Sequence, residues 1–347
     1  MTTEASTSGL ARQASGRVIL DVENLSKTFG KLKAVDGVTF QVYEGEIFGF
    51  LGPNGAGKST TINMLTTLTP PSGGKGEVSG YDIYKQPGLV RRSVGVVPQD
   101  YTADEDMTGI QNVLLCGDLY GMPRKDAREH AQELLELVEL RDAENRNVST
   151  YSGGMRRRLE LACGLINYPK LLFLDEPTLG LDVQTRAAVW KYIRTLKQEY
   201  HMTLFVTTHY LEEADSLCDR IAVIDHGHII KIGTPEQLKS VVGGDIIVVG
   251  VKELEPDLSA TISSIPKVKE VKKNGNDYRI KAEDGEEVSP QIIDAIRTKG
   301  LHVTKISLTR PTLDEAYLEL TGRTLRDEEG DKWSMMSQRR TMSTARR

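Results

Sequence analysis

Residues 48–60 read Phe-Gly-Phe-Leu-Gly-Pro-Asn-Gly-Ala-Gly-Lys-Ser-Thr, and this stretch decides the fold. The apolar run Ile47 to Leu51 leads into the glycines, and apolar residues resume at Ile62, which predicts a strand, a loop and a helix. Glycines let the backbone curl so that N–H groups point inward at the positive end of that helix. Lys58 supplies a charge for β- and γ-phosphates, and the Ser59 hydroxyl can complete a Mg²⁺ shell. The stretch therefore predicts a polyphosphate-binding loop.

Length and composition limit the classes of protein that the chain can represent. Its 347 residues exceed one typical core, which predicts a large domain and a smaller one. No window reaches the roughly 18 to 20 apolar residues of a membrane helix, and even Ile246 to Val251 is short. A formal net charge of −5 offers no broad basic surface, so nucleic acid is not expected as a partner. Cys116, Cys163 and Cys218 suggest neither disulfides nor a metal site, which favours a reducing compartment.

Two further residues could reach a nucleotide bound at this loop. Phe29 lies between strand patterns at Val18 to Val22 and Val38 to Tyr43, and its ring could stack on a base or belong to the core. Gln99 follows Val94 to Val97, a short buried-strand pattern, at the kind of strand end where open α/β sheets bind ligands. The residue types alone leave both assignments open.

A second glycine-rich loop precedes another helix. Ser152 can cap a helix whose apolar run continues from Leu159 to Ile166. The backbone N–H groups of Gly153 and Gly154 are then available to an anion. The chain therefore has two anion-binding helix starts, but only one of them carries a lysine.

An acidic pair supplies the carboxylates that a phosphate loop lacks. The apolar run Leu171 to Leu174 ends in Asp175 and Glu176. A buried strand would direct Asp175 at Mg²⁺ and leave Glu176 to polarise a water for in-line attack. An acidic pair before Pro177 could instead simply begin a helix, but the phosphate loop favours catalysis. His209 follows a further strand pattern and could donate to a γ-phosphate.

With these motifs in this order, residues from about Val18 to Leu238 resemble an ATP-binding subunit of an ABC transporter. Tyr151 and Met155 depart from the Leu and Gln most common beside the signature loop, but the glycine backbone there still supplies the contact. The matching segments are the Walker A loop Gly52 to Thr60, the Q-loop at Gln99, the signature Ser152 to Gly154, the Walker B strand Leu171 to Glu176, the D-loop Leu179 to Asp182, the switch histidine His209 and the adenine-stacking Phe29.

The resemblance implies an α/β fold, namely a P-loop NTPase nucleotide-binding domain with a helical subdomain, with ATP and Mg²⁺ as cofactors. The implied catalytic residues are Lys58, Gln99, Glu176 and His209. The implied metal ligands are Ser59, Gln99 and Asp175. The implied nucleotide-binding residues are Phe29, Gly52, Pro53, Asn54, Gly55, Ala56, Gly57, Lys58, Ser59, Thr60, Gln99, Ser152, Gly153, Gly154, Asp182 and His209.

The resemblance also implies partners. Two copies would close head to tail on two ATP molecules, so that Ser152 to Gly154 of one copy serve the nucleotide of the other. A separate transmembrane permease would hold the dimer at the cytoplasmic face of the cell membrane. The leading hypothesis is therefore the ATP-hydrolysing motor of an exporter for a drug, a lipid or a polysaccharide.

Two other classes of function fit the sequence less well. A soluble ABC ATPase acting on nucleic acid or the ribosome would carry a long coiled coil or a second cassette. The residues between Thr60 and Thr150 show no sustained heptads, and no second lysine-bearing glycine loop occurs. A binding module that does not hydrolyse ATP is disfavoured by Glu176.

The pattern changes after Leu238. Strands and helices in the order βαββαβ predict a small ferredoxin-like α+β domain. Pro311 to Gly322 then resembles the closing helix of daunorubicin-exporter ATPase subunits. The predicted segments of this part are the strand Asp245 to Val251, the helix Pro256 to Ile265, the strands Val268 to Lys273 and Asp277 to Lys281, the helix Ser289 to Thr298 and the strand His302 to Thr309. The predicted domains are a disordered leader at 1–16, the ATP-binding domain at 17–240, the small domain at 244–322 and a disordered tail at 323–347, whose arginines could touch anionic lipid.

Overall fold

The computed structural model describes residues 16–252 and 257–322. The predicted disordered tail, and all of the predicted leader except Gly16, lie outside the described residues. The contact pattern divides the chain after Ile232 into two compact units, whereas the sequence pattern placed the boundary near residue 240.

The first unit is a mixed α/β structure. Its strands are β1 (Val18–Phe29), β2 (Leu32–Tyr43), β3 (Ile47–Leu51), β4 (Gly73–Val78), β5 (Tyr81–Asp82), β6 (Val94–Val97), β7 (Leu171–Asp175), β8 (Thr203–Thr208), β9 (Arg220–Asp225) and β10 (His228–Gly233). Its helices are α1 (Lys58–Leu65), α2 (Pro87–Ser93), α3 (Gly109–Leu119), α4 (Arg124–Leu137), α5 (Gly153–Leu165), α6 (Val183–Tyr200) and α7 (Leu211–Leu217).

The strands of this unit form two sheets. A six-stranded sheet has the order β10-β9-β3-β8-β7-β6, and its strands from β9 to β6 run parallel. A four-stranded antiparallel sheet has the order β2-β1-β4-β5. The residues of β3, β7 and β8 are all buried, which is typical of parallel strands covered on both faces. Since parallel strands end at one edge, this sheet collects the residues that follow β3, β6, β7 and β8 on one side.

Aromatic side chains join the two sheets in a common core. The ring of Phe40 on β2 lies 5.6 Å from that of Phe48 on β3, and 6.0 Å from that of Phe205 on β8. These rings are at most 3% exposed. Buried aromatic pairs at such distances add to the stability gained from burial alone, so the strand that precedes the phosphate loop is firmly anchored.

The helices α3, α4 and α5 pack against one another and form the helical subdomain. Apolar residues at helical spacing predict an amphipathic helix from Arg124 to Leu140, and this helix is confirmed as α4, whose buried face consists of Ala127, Ala131, Leu134 and Leu135. The predicted end at Leu140 was wrong, since the helix ends at Leu137. Glu139 adopts a left-handed φ of 55°, which stops the helix there.

The second unit has the predicted ferredoxin-like order. Its elements are α8 (Pro235–Lys239), β11 (Asp245–Val251), α9 (Ser259–Ser263), β12 (Val268–Asn274), β13 (Asp277–Ala282), α10 (Gly285–Thr298), β14 (Val303–Thr309) and α11 (Leu313–Thr321). The four strands pair antiparallel in the order β12-β13-β11-β14. Apolar residues of the strands and of α9 and α10 form a separate core.

Two helix bounds in this unit differ from the prediction. The helix α9 is shorter than Pro256 to Ile265. The helix α10 begins at Gly285 instead of Ser289, because the Asp284 side chain accepts the N–H of Glu287 and caps the earlier turn. In the part of the chain that the structure describes, no helix is both long and apolar enough to cross a membrane.

Candidate active site

The predicted phosphate loop joins β3 to α1 in a tight turn. Gly57 precedes the helix with a φ of 105°, and a Cβ atom at this position would lie 2.5 Å from the carbonyl oxygen of Ala34. No other residue fits here without displacing the backbone. The N–H of Gly52 donates to the carbonyl of Thr208, which ties the start of the loop to the end of β8.

Lys58 lies at the start of α1 and is only 4% exposed. Its Nζ donates to the carbonyl oxygens of Gly52 at 2.7 Å and Pro53 at 3.1 Å. The same Nζ lies 2.9 Å from Oε1 of Glu176. The ammonium group is therefore folded back on its own loop and neutralised by a buried carboxylate.

Glu176 follows β7 with a left-handed φ of 46°. Its N–H donates to the carbonyl of Thr207 and, at 3.0 Å, to the hydroxyl of the same residue. Its Oε2 accepts from Nδ1 of His209 at 3.0 Å, while Oε1 pairs with Lys58. A non-glycine residue in this conformation costs about 1–3 kcal/mol, and such residues cluster at functional sites.

The electrostatics of Glu176 favour its ionised form. Burial raises its pKa and is the largest single effect, but the hydrogen bonds and charges of His209 and Lys58 together outweigh it. The pKa of Glu176 is lowered to about 2. The carboxylate is thus charged at neutral pH and can accept a hydrogen bond from water.

Asp175 ends β7 and is 7% exposed. One of its oxygens accepts the hydroxyl hydrogen of Thr207, whose oxygen in turn accepts the N–H of Glu176. Ser59, in the first turn of α1, is half-buried. A hydroxyl, a carboxylate and the amide oxygen of Gln99 are the hard oxygen donors that Mg²⁺ prefers. Across residues 16–252 and 257–322, no group of three or more His, Cys, Asp or Glu side chains could hold a metal ion.

The second glycine loop lies at the exposed N-terminus of α5. The hydroxyl of Ser152 accepts the N–H of Met155 at 3.2 Å, which confirms the predicted cap. Ser152 and Gly153 are exposed. Tyr151, where the resemblance leads one to expect Leu, is 5% exposed and donates its hydroxyl to the carbonyl of Ala143 at 2.7 Å. Tyr151 is therefore held by a hydrogen bond that a leucine side chain cannot make.

Three predicted residues lie apart from the Lys58 and Glu176 pair. Phe29 is 51% exposed at the end of β1, which contradicts the alternative that it belongs to the core. Asp182 caps α6 and accepts from the N–H and the hydroxyl of Thr185. Gln99 is exposed after β6, and its carbonyl oxygen accepts from Arg157 at 3.0 Å.

The structure thus joins Lys58, Glu176 and His209 by direct contacts, with Asp175 linked to them through Thr207. The sequence did not identify Thr207 and Arg157 as site residues. Thr207 is only the last residue of the predicted strand from Thr203, and Arg157 is one of three successive arginines with nothing to distinguish it. Their roles depend on tertiary contacts that no local pattern contains.

Family models cover most of the described chain. The ABC transporter model matches residues 35–179. A model described as ATP-binding protein DrrA1-3-like, C-terminal domain, matches residues 233–321.

Individual relatives agree with these matches. The chain is 42% identical over 307 residues to the doxorubicin resistance ATP-binding protein DrrA of Mycobacterium tuberculosis, across 86% of this chain and 92% of the relative. It is 37% identical over 313 residues to the Nod factor export ATP-binding protein I of Sinorhizobium fredii, across 89% of this chain and 88% of the relative. Among solved structures, a dimeric ATP-binding cassette in a post-hydrolysis state with ADP and Pi aligns with a TM-score of 0.57 and 26% identity, across 62% of this chain and 98% of that one.

Proposed function

Because this chain belongs to the ABC transporter family, in its branch of drug-resistance and export ATP-binding subunits, we propose that Lys58, Glu176 and His209 form the ATPase site that drives a separate transmembrane permease. The chain is an ATPase and the motor subunit of an exporter. A role on nucleic acid or the ribosome is not favoured, since the relatives are resistance and export subunits. The observation that carries the proposed site is the buried contact of Lys58 and His209 with one carboxylate.

Binding of ATP and Mg²⁺ begins with Lys58. The β- and γ-phosphates compete with Glu176 for the ammonium group, because they offer a larger negative charge within reach of the loop. The N–H groups of the loop and the start of α1 complete the phosphate cradle. Ser59, Gln99 and Asp175 would hold Mg²⁺, which supplies charge neutralisation between the phosphate oxygens.

Release of Lys58 changes the chemistry of Glu176. While the ion pair lasts, a pKa of about 2 makes the carboxylate a weak base. Once the ammonium group turns to the phosphates, one cause of the lowered pKa is reduced, and Glu176 becomes a better acceptor for the proton of an attacking water. The Nδ1 of His209 keeps the carboxylate oriented, and in the doubly protonated form of the ring Nε2 can also donate toward the γ-phosphate. Binding of the nucleotide therefore prepares the base that hydrolyses it.

The second anion-binding helix start points to a dimer. Ser152 and Gly153 are exposed, so a second copy could bring its own nucleotide to the N-terminus of α5. In a head-to-tail pair, each nucleotide would lie between the phosphate loop of one chain and the N-terminus of α5 of the other. The pair would therefore enclose two ATP molecules. The dimeric state of the solved relative supports this proposal.

An exposed apolar cleft is the proposed permease-binding surface, at the cytoplasmic face of the membrane. Its volume is about 560 Å³. Leu68 and Leu119, on its rim, are 69% and 80% exposed, which is unusual for leucines without a partner. Val96 on its wall belongs to β6, the edge strand that ends just before Gln99. A permease segment seated here would lie next to a proposed Mg²⁺ ligand. The names of the relatives favour a drug-like cargo.

Leu119→Glu tests this surface. The charge should reduce recovery of the multi-span membrane protein from detergent-solubilised membranes at least about tenfold, because a carboxylate would replace an apolar side chain in the interface. The ATPase rate of the isolated chain should not change. Tyr200→Glu is the matched control, since Tyr200 is 49% exposed and lies outside the cleft. Equal recovery with wild type and with Leu119→Glu would contradict the assignment.

A further inference from the structure

The helix α5 carries two buried charged residues beyond the glycine loop. Arg157 is 1% exposed and Glu160 is 2% exposed. Their spacing of three residues places them on the same face of the helix. A buried charge is costly unless it is hydrogen-bonded, so the partners of these residues show what the charges are for.

Arg157 reaches three carbonyl oxygens on two segments of chain. Its Nη1 donates to Pro98 at 2.7 Å, and its Nη2 donates to Gln99 at 3.0 Å. The same Nη2 donates at 3.2 Å to the carbonyl of Glu176. A planar guanidinium fork can bridge such separate groups, whereas a lysine ammonium is a single point. One side chain therefore holds the backbone of the loop after β6 and the backbone of the proposed catalytic residue Glu176.

Glu160 holds the same loop further along. Its Oε1 accepts from the N–H groups of Thr102 and, at 2.8 Å, Ala103. Its Oε2 accepts from the hydroxyl of Thr102 at 2.8 Å. The loop from Pro98 to Ala103 is thus attached at both ends to one turn of α5. That turn begins three residues after Gly154.

We propose that Arg157 and Glu160 are positioning residues that transmit the position of α5 to Gln99 and Glu176. The inference rests on the proposed function, in which the N-terminus of α5 receives the nucleotide of the partner. When that nucleotide sets α5 in place, Arg157 sets the peptide groups of Gln99 and Glu176 with it. The partner's nucleotide then decides whether this chain's own carboxylate is aligned with its water.

Arg157→Met and Arg157→Lys test the role. Both variants should bind ATP within about threefold of wild type, because neither touches the phosphate loop. Single-turnover hydrolysis should fall about 10- to 100-fold, since a misplacement of a catalytic group by about 1 Å has an effect of this size. Arg157→Lys keeps the charge, so it separates loss of the fork from loss of the charge and provides a second variant if Arg157→Met folds poorly.

The neighbouring Arg158 offers a matched control. Its Nη1 also donates to two carbonyl oxygens, of Val138 and Glu139, but these lie at the end of α4. Arg158→Met should lower the melting temperature and leave the single-turnover rate of the folded protein unchanged. An equal loss of rate in Arg158→Met and Arg157→Met would mean that any damage to α5 suffices, and would overturn the proposal.

The double variant Arg157→Met with Glu176→Gln identifies the residue through which Arg157 acts. If Arg157 works through Glu176, adding its substitution to Glu176→Gln should slow hydrolysis by less than about threefold. Two fully multiplicative losses would reject that route. Wild type hydrolysing ATP is the check on the proposed function itself, because a wild type without activity would refute the ATPase site rather than the positioning role.

Discussion

Three unusual features of the site occur together at Glu176. Its backbone is left-handed, its carboxylate is shared between Lys58 and His209, and its pKa is lowered to about 2. Conformational strain and a perturbed pKa in the same buried residue are typical of a functional site. The other members of the site are placed relative to this residue.

Glu176→Gln should bind ATP and fail to turn it over. The amide cannot accept the proton of the attacking water, while the phosphate loop is untouched. The single-turnover rate at saturating ATP should fall by about 10² to 10⁴. Glu212→Gln, an exposed change on α7, is the control and should hydrolyse ATP at the wild-type rate. A Glu176→Gln rate within about threefold of wild type would remove Glu176 from the role of base.

At the scale of elements, the sequence predicts the bounds of a strand or helix best where those bounds depend on the residues of that element alone. The bounds of β3 and β6 follow from continuous apolar runs, because these strands are buried. The start of α10 depends on a side-chain cap, which the sequence suggests only weakly.

The same distinction applies to the site. The sequence identifies Gln99 and Glu176 because both lie just past the ends of predicted strands. Arg157 was missed because its carbonyl partners at Pro98 and Gln99 lie 59 and 58 residues away in the sequence. The hydroxyl of Thr207 accepts the N–H of Glu176, which lies 31 residues earlier in the sequence. Contacts at such separations exist only once the sheet and the helical subdomain have assembled.

Tyr151→Phe tests how α5 is attached to the chain before it. Removing the hydroxyl takes one of two donors from the carbonyl of Ala143, which keeps the N–H of Arg146, so the free energy of unfolding should fall by about 0.5–1.5 kcal/mol. ATP affinity should not change. Tyr84→Phe is the matched control, since its hydroxyl also donates to a carbonyl, of Gly74, but the ring is 46% exposed. Chemical denaturation of both variants measures the difference. Equal losses would show that the buried bond has no special role.

At the scale of the whole molecule, the two helix starts make the proposed dimer testable. In a head-to-tail pair, Lys58 and Ser152 of one chain serve different nucleotides. Mixing Ser152→Arg with Lys58→Ala chains would then give heterodimers in which one site carries both defects and the other none. If subunits exchange freely and one site can act alone, the mixture should recover about a quarter of wild-type activity.

Labelled-subunit transfer must first show that the chains exchange. If both residues served a site within one chain, every site in the mixture would be defective and activity would stay at the level of the separate variants. A structure of the ATP-bound Glu176→Gln dimer distinguishes that outcome from obligate coupling of two intact sites. Ser152 against the γ-phosphate of its own chain would refute the head-to-tail arrangement.

The buried pair of Lys58 and Glu176 also limits how this chain can change over generations. A substitution that removes the carboxylate of Glu176 leaves the buried ammonium group of Lys58 with carbonyl acceptors alone, which lowers the stability of the fold. A descendant that lost hydrolysis by a substitution of Glu176 alone would be less stable. Its stability would recover only if Lys58 were also substituted or if a bound nucleotide paired with the ammonium group. A substitution of Glu176 therefore carries a cost in folding stability as well as in hydrolysis, and selection on folding would help to preserve this carboxylate.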